Sequence, residues 1–423
     1  MHAGRLIRQP AVALYLLSGV FGALGVNILI TVLFKQAYDV TGDELTIGLL
    51  GLAQFLPAVL LVLVSGWAAD RFDRRRVSGL FMAGRALGAL LLMIVSIGQV
   101  PSQWMLLAIT LMFGSCDAVL APSMRSIKPL ISTPADLPHV VALWTAAFTG
   151  AAIVGPVVGG FLYSAGPAWS YGIAAALEFA AVPPLLLIKY LRNPERITSR
   201  PTLATAMEGL HFVRRTPVVL AAISLDLFAV LFGGAIALIA PVAEERLGVG
   251  DVGYGFLRAA PGVGAAAMAV LLAVRPVQRR IGPVLLVAVA AFGAGTVVFG
   301  LTRSYAIAFV ALVVISAADM VSMYIRGSLV PLATPDDQLG RVLAVESVFI
   351  GASNELGAFE SGVAARAVGL PWSIAGGGAI TMLIAGSFWF WFPTVRGIDR
   401  FADVTVKPGD RAPMPERPAT PAH

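Results

Sequence analysis

Apolar runs of about 20 residues recur along the chain, each long enough to cross a hydrocarbon layer as a helix. They are read near 11–35, 45–69, 77–97, 104–124, 138–164, 170–190, 217–242, 252–274, 281–301, 305–330, 340–365 and 371–394. So many apolar surfaces cannot share one water-facing core. Of the 423 residues, 58% are hydrophobic and 13% are charged, against about 25% charged in soluble domains. Bilayer lipid is the solvent that fits. The 44 glycines and 27 prolines fall partly inside the runs, which membrane helices tolerate because neighbouring helices re-satisfy freed backbone groups. The expected class is an all-α membrane protein with twelve transmembrane helices and both termini on one side.

The charges test that count. With the termini inside, about 24 of the 30 basic residues fall on the inner segments, among them Arg71, Arg74–Arg76, Arg275, Arg279, Arg280, Arg326 and Arg341. The outer segments hold Lys35, Arg246, Arg303 and Arg366. A missed helix would scramble this bias, so both termini are expected to be cytoplasmic. The net charge of +6 is therefore topogenic, and no nucleic-acid partner is expected. The single cysteine, Cys116, excludes an intrachain disulfide. With four histidines and one cysteine, no metal site and no cofactor are expected. The first apolar run is too long for a signal-peptide core and reads as the first span.

Polar punctuation divides the chain. The longest internal loop contains TLATAMEGLHFVRR, which suits a short amphipathic helix on the membrane surface. The expected organisation is a six-helix half over 1–190, a linker loop over 191–216, a second half over 217–395, and a Pro-rich, disordered tail over 396–423. The halves repeat at an offset of roughly 202 residues. Asp117 is followed by Arg125 and a Thr-Pro, and Asp319 by Arg326 and a Thr-Pro; Phe148 and Gly150 answer Phe349 and Gly351. Gln54 stands three before Pro57, as Arg258 stands three before Pro261.

Three motifs carry a family resemblance. G66WAADRFDRRR, between the second and third spans, resembles the loop signature of the major facilitator superfamily, with Asp73 where that family often has Gly. G150AAIVGPVVGG, with Gly150, Gly155, Pro156, Gly159 and Gly160, resembles the glycine- and proline-rich motif of its exporter branches. R326GSLVPLATPDDQLGR, V345ESVFIGASNELGAFESG and L225DLFAVLFGG look like the branch holding enterobactin exporters and macrolide efflux proteins. The resemblance covers essentially residues 1–395. It implies two pseudo-symmetric halves of six helices, a monomer in the bacterial cytoplasmic (inner) membrane, and transport of a small molecule by alternating access. It also implies a cytoplasmic gating loop, with Gly66 for close helix approach and Asp70 docked at the start of the eleventh helix, near Gly340 and Arg341. Arg71, Arg74 and Arg75 would link neighbouring helices.

Ionisable residues within the bilayer are costly and are functional candidates by default. Here they are Arg85, Asp117, Glu178, Asp226, Arg258, Asp319, Glu346, Glu355 and Glu360. The resemblance puts all but Arg85 and Glu178 on cavity-lining helices; those two are expected to snorkel or to sit near an interface. Asp226, alone in an apolar run, is the first candidate for proton coupling, with Arg258 as its partner. Glu346, Asn354 and Glu355 add polar groups on the eleventh span, and Asn27, Gln54 and Trp144 could meet substrate. Asp117 and Asp319 read equally as buried latches between helices.

The function expected is secondary active transport: a proton-coupled exporter of a siderophore or amphipathic molecule, with a multidrug pump or an importer as alternatives. No ATP-binding G-x-x-x-x-G-K-[ST], HExxH or GxSxG pattern is present, so neither ATP drive within the chain nor enzyme chemistry is expected.

Overall fold

The computed structural model describes residues 6–61, 71–98, 100–191 and 203–404. The apolar runs become helices wherever the sequence supplies a start. Pro10, Pro167 and Pro217 each open one at the position where a missing N–H costs nothing. Asp43 and Ser102 cap two more, accepting from the N–H of Leu45 at 3.0 Å and of Met105 at 3.3 Å. The first half contains α1 (Pro10–Thr41), α2 (Glu44–Leu60), α3 (Arg74–Gly98), α4 (Gln103–Ile131), α5 (Leu137–Ser164) and α6 (Pro167–Leu187). After the linker helix α7 (Leu203–Arg215) come α8 (Pro217–Phe232), α9 (Asp251–Val274), α10 (Ile281–Leu301), α11 (Tyr305–Leu332), α12 (Asp336–Val368) and α13 (Leu370–Trp391). Eleven of the described helical segments are long and apolar enough to cross a membrane, and α2 is a shorter apolar helix, which is consistent with twelve spans. No strand occurs among the described residues.

Two spans depart from the expectation. The second is described as a helix only to Leu60, and residues 62–70 lie outside the described residues. The seventh is broken: α8 stops at Phe232, and the chain continues through a 3₁₀ turn (Ala235–Leu238) to a π turn (Val242–Arg246). The break falls on Gly233 and Gly234, where helices crowd together. A Cβ on Gly234 would lie 2.6 Å from the Gly357 carbonyl oxygen, and one on Gly357 would lie 2.7 Å from that of Val230. Close backbone approach requires glycine at these positions.

The halves meet at the face opposite the linker helix, here the distal face. Gly160 of α5 abuts Gly255 of α9, and Gly362 of α12 abuts Gly48 of α2. Lys35 of α1 reaches across to Glu244 at 2.9 Å and Asp251 at 3.8 Å while also binding Asp39. Tyr38 donates to Glu245, Tyr254 donates to the Thr31 carbonyl at 2.9 Å, and Arg366 pairs with Asp43 at 3.0 Å.

On the linker face, α7 is docked rather than lying loose on the membrane surface. Val213 is buried in a cluster with Val219, Ile223, Val330, Val342 and Val345, and Glu208 pairs with Arg341 at 2.6 Å. At the start of the expected tail, Phe401 packs edge-on against Tyr324, and the Gly282 N–H donates to the Ile398 carbonyl at 3.1 Å. Residues 405–423 lie outside the described residues.

Candidate functional site

A cavity of about 510 Å³ lies within the first half, walled by α1, α3, α4 and α5. It runs from the linker-face ends of these helices, at Tyr15, Arg125, Lys128, Trp144 and Phe148, to Asn27, Arg85 and Asp117 near mid-helix. Its volume lies in the range of small-molecule sites. Trp144 anchors the wall by packing its ring over Gly19, where a side chain would clash. It also faces Tyr15 at 5.2 Å and Phe148 at 6.4 Å between ring centroids, and Lys128 Nζ lies 5.2 Å over it. The Asn27 amide donates to the Ala23 carbonyl at 2.8 Å, within its own helix.

At the cavity floor one guanidinium serves two carboxylates. Arg85 bonds Asp117 at 2.6 Å on one side and Glu178 on the other. The expectation that Arg85 and Glu178 snorkel or sit near an interface is corrected: both are buried, Glu178 to 1% exposure. The physical reason is that a charge at mid-membrane is stabilised better by an opposite charge than by a long reach to water. Gly22 and Gly25 of α1 make room for the network, since a Cβ on Gly25 would stand 2.9 Å from Glu178 Cγ.

The second half has its own buried pair. Asp226 on α8 binds Arg326 on α11 at 2.6 Å, and Ser322 takes the Arg326 Nε–H at 3.1 Å. The expected partner, Arg258, is elsewhere: it donates to the Ile236 carbonyl at 2.9 Å and stacks over Phe34 at 5.5 Å. The break after α8 supplies the free carbonyl that holds it there. Arg326, which the charge count assigned to a loop, is the functional candidate that sequence reasoning missed. The available signal was its spacing: seven residues after Asp319, it shares that residue's helix face. Asp319 lies beside Asp226 at a small void of about 10 Å³.

The other candidates scatter. Gln54 does not line the cavity; its backbone packs against Gly114. Glu355 lies at the contact with α2, its Oε2 3.2 Å from where a Cβ on Gly51 would stand. The exposed Asn354 amide donates to the Ile350 carbonyl at 2.9 Å, and Glu346 is half-buried on the same helix. In the glycine motif, Gly155 and Gly159 let α5 approach α1 at Asn27 and Ile28, Pro156 is buried inside α5, and Gly150 faces open space.

Gly66 and Asp70 lie outside the described residues. The adjoining segment is an ionic clamp. Arg74 donates to the Ser126 carbonyl at 3.0 Å and Arg75 to that of Ile188, so the start of α3 is tied to the ends of α4 and α6. The hydrogen-bonded Arg75 holds the Asp73 carboxyl down at about 2, while burial pushes the Tyr190 hydroxyl beside it up to about 12. Arg71 starts this segment. Arg341, at the start of α12, pairs with Glu208 at 2.6 Å; the expected docking of Asp70 near Gly340 and Arg341 lies outside the described residues.

Comparisons place this architecture among known proteins. The chain is 28% identical over 289 residues to the enterobactin exporter EntS of Escherichia coli O1:K1 / APEC, covering 66% of this chain and 67% of that one. EntS of Shigella boydii serotype 18 matches over 287 residues, also at 28%. The fold is that of a bacterial homolog of the human lysosomal transporter Spinster, solved inward-facing and unoccupied, with a TM-score of 0.70 at 17% identity over 96% of this chain and 99% of the other. A D-xylose-proton symporter matches with a TM-score of 0.70 at 14% identity, covering 92% and 99%. The model of the Major Facilitator Superfamily matches residues 15–345. This chain therefore belongs to the major facilitator superfamily: it is a multi-span membrane transporter of small molecules, not an enzyme.

Proposed function

We propose that this transporter is a proton-coupled exporter of an amphipathic, anionic small molecule, of which a catecholate siderophore is the leading example. The observation that carries this reading is the make-up of the cavity. Arg85 is taken up by Asp117 and Glu178, which leaves Arg125 and Lys128 as the cations of the cavity wall, beside the aromatic rings of Tyr15, Trp144 and Phe148. Cations and ring faces together suit a solute with acidic aromatic groups. The likeness to EntS supports the direction and the solute class. The chain works as a monomer in a bacterial cytoplasmic membrane with both termini cytoplasmic, so the cavity mouth on the linker face opens to the cytoplasm. Protons are exchanged at Asp226, which Arg326 holds in the second half, away from the solute. Since the two ligands do not compete for one site, coupling runs through rocking of the halves about the distal contacts.

The test uses inside-out vesicles containing the full-length chain. Labelled enterobactin and a cationic dye are offered with and without a proton gradient. Gradient-dependent uptake of enterobactin but not of the dye is expected. Preference for the dye, or uptake that ignores the gradient, would sink the reading. D226N is expected to abolish uphill uptake while leaving the chain inserted in the membrane.

A further inference from the structure

We propose that the groove between α7 and the base of α12 binds the phosphate of an anionic lipid. The groove encloses about 890 Å³ and draws its charge from both helices. His211, Arg214 and Arg215 stand three and four residues apart on α7, so they share one face. Arg341 faces them from α12. The one acid in the lining, Glu208, is already engaged by Arg341 at 2.6 Å. Arg214 and Arg215 form no ion pair among the described residues. Two positive charges without an acid of their own at one groove attract an anion. The dipole of α7 favours a cation in its last turn, but it does not bring Arg341 of another helix to the same groove.

The surroundings select a lipid over a free anion. Thr216, in the groove wall, directly precedes Pro217 at the start of the seventh span, so the groove lies at the membrane boundary. Met207 is 59% exposed there, beside the half-buried Leu210 and Phe212. Cations next to uncovered apolar side chains match a phosphate headgroup with its acyl chain, as in juxtamembrane basic segments. A free phosphate would use only the cations. The seat would hold α7 against α12 from the lipid side, adding to Glu208 and Val213.

Lipid retention by the purified full-length chain, read by native mass spectrometry after incubation with phosphatidylglycerol or phosphatidylcholine, tests this. The wild type is expected to retain phosphatidylglycerol in preference. R214Q/R215Q should lower retention about thirtyfold and R215Q alone about fivefold, the scale of one and two interfacial charges. Both variants leave the Arg341–Glu208 pair and buried Val213 untouched. R275Q/R279Q removes as many charges from another linker-face loop and should change retention less than twofold. Unchanged retention in R215Q, or an equal loss in the loop variant, overturns the proposal. Displacement of the lipid by millimolar inorganic phosphate also overturns it, in favour of a free-phosphate site.

Discussion

The two halves agree at the distal face and differ in the membrane interior. Gly160 and Gly362, about 202 residues apart as in the sequence repeat, make matching contacts. A Cβ on Gly160 would stand 2.5 Å from the Asp251 carbonyl oxygen, and one on Gly362 would stand 2.7 Å from that of Glu44. Inside, the symmetry fails. Arg125 follows Asp117 by eight residues and stays on the open cavity wall; Arg326 follows Asp319 by seven and is buried against Asp226. One residue is about 100° of helix rotation, enough to turn an arginine from a solute-facing position to a structural pair. The first half instead draws its buried cation, Arg85, from α3 and gives it two acids. On the function proposed above, the repeat keeps the contacts about which the halves rock, while a one-residue slip leaves Arg125 on the cavity wall and buries Arg326 in an ion pair.

The largest expected effect tests this division. R85M strands two carboxylates and should cost roughly 3–5 kcal/mol of stability, as breaking buried pairs does. R326M strands Asp226 and should fall at or below the lower end of that range. Thermal unfolding in detergent reads both, and equal losses would erase the distinction between the networks. Next come the distal contacts. G160V and G362V should each cost about 1–3 kcal/mol by overpacking and raise labelling of single cysteines introduced at the distal face, whereas G150A, facing open space, should do neither. An effect in only one of the two valine variants would break the symmetry argued above. In the cavity, K128Q should weaken binding of an anionic solute about fivefold, the scale of one exposed ion pair, without altering the pH dependence of transport.

Much of this was legible in the sequence, for identifiable reasons. Hydropathy reports a helix that must be apolar on every side, so the spans stood out; the charge bias and the loop motif fixed their count and family. Asp117 and Asp226 were visible because an acid in an apolar run is costly and must find a partner. Their partners were not. Arg85 meets Glu178 across 93 residues and Asp117 across 32, and no local pattern encodes that meeting. Arg326 was hidden because it sits near a span end, where arginine is common. The break at Gly233–Gly234 was invisible because two glycines barely disturb a hydropathy window, although they decide where the backbone can bend. The cavity itself depends on which faces of α1, α3, α4 and α5 turn together, which is a tertiary property.

The smallest effect concerns two loops in repeat-related positions. After α2 the basic loop finds its acid locally, in Asp73; after α9 the corresponding loop has lost that acid, and Asp399 from beyond α13 takes its place, 3.7 Å from Arg279. The Asp73 carboxyl, at about 2 in the folded chain, lies below its ordinary value near 3.9. Its contribution is therefore fully present above about pH 4 and lost as pH falls toward 2. D73N should flatten the change in thermal midpoint across that window, and D399N, at a more exposed pair, should leave it nearly as in the wild type. The reverse ranking would show that the borrowed acid is the stronger of the two.

The interruption of the seventh span has a mechanical consequence. An unbroken rod of that length would turn any tilt at Asp226 into an equal tilt at Glu244 and Glu245. Cut at two glycines, it behaves as two levers on one pivot. The upper lever is fastened to α1 through Lys35 and Tyr38, while the lower one is fastened to Arg326. If the halves rock as proposed, distance probes on either side of the break are expected to report separately on the distal contacts of Lys35 and Tyr38 and on the Asp226–Arg326 pair.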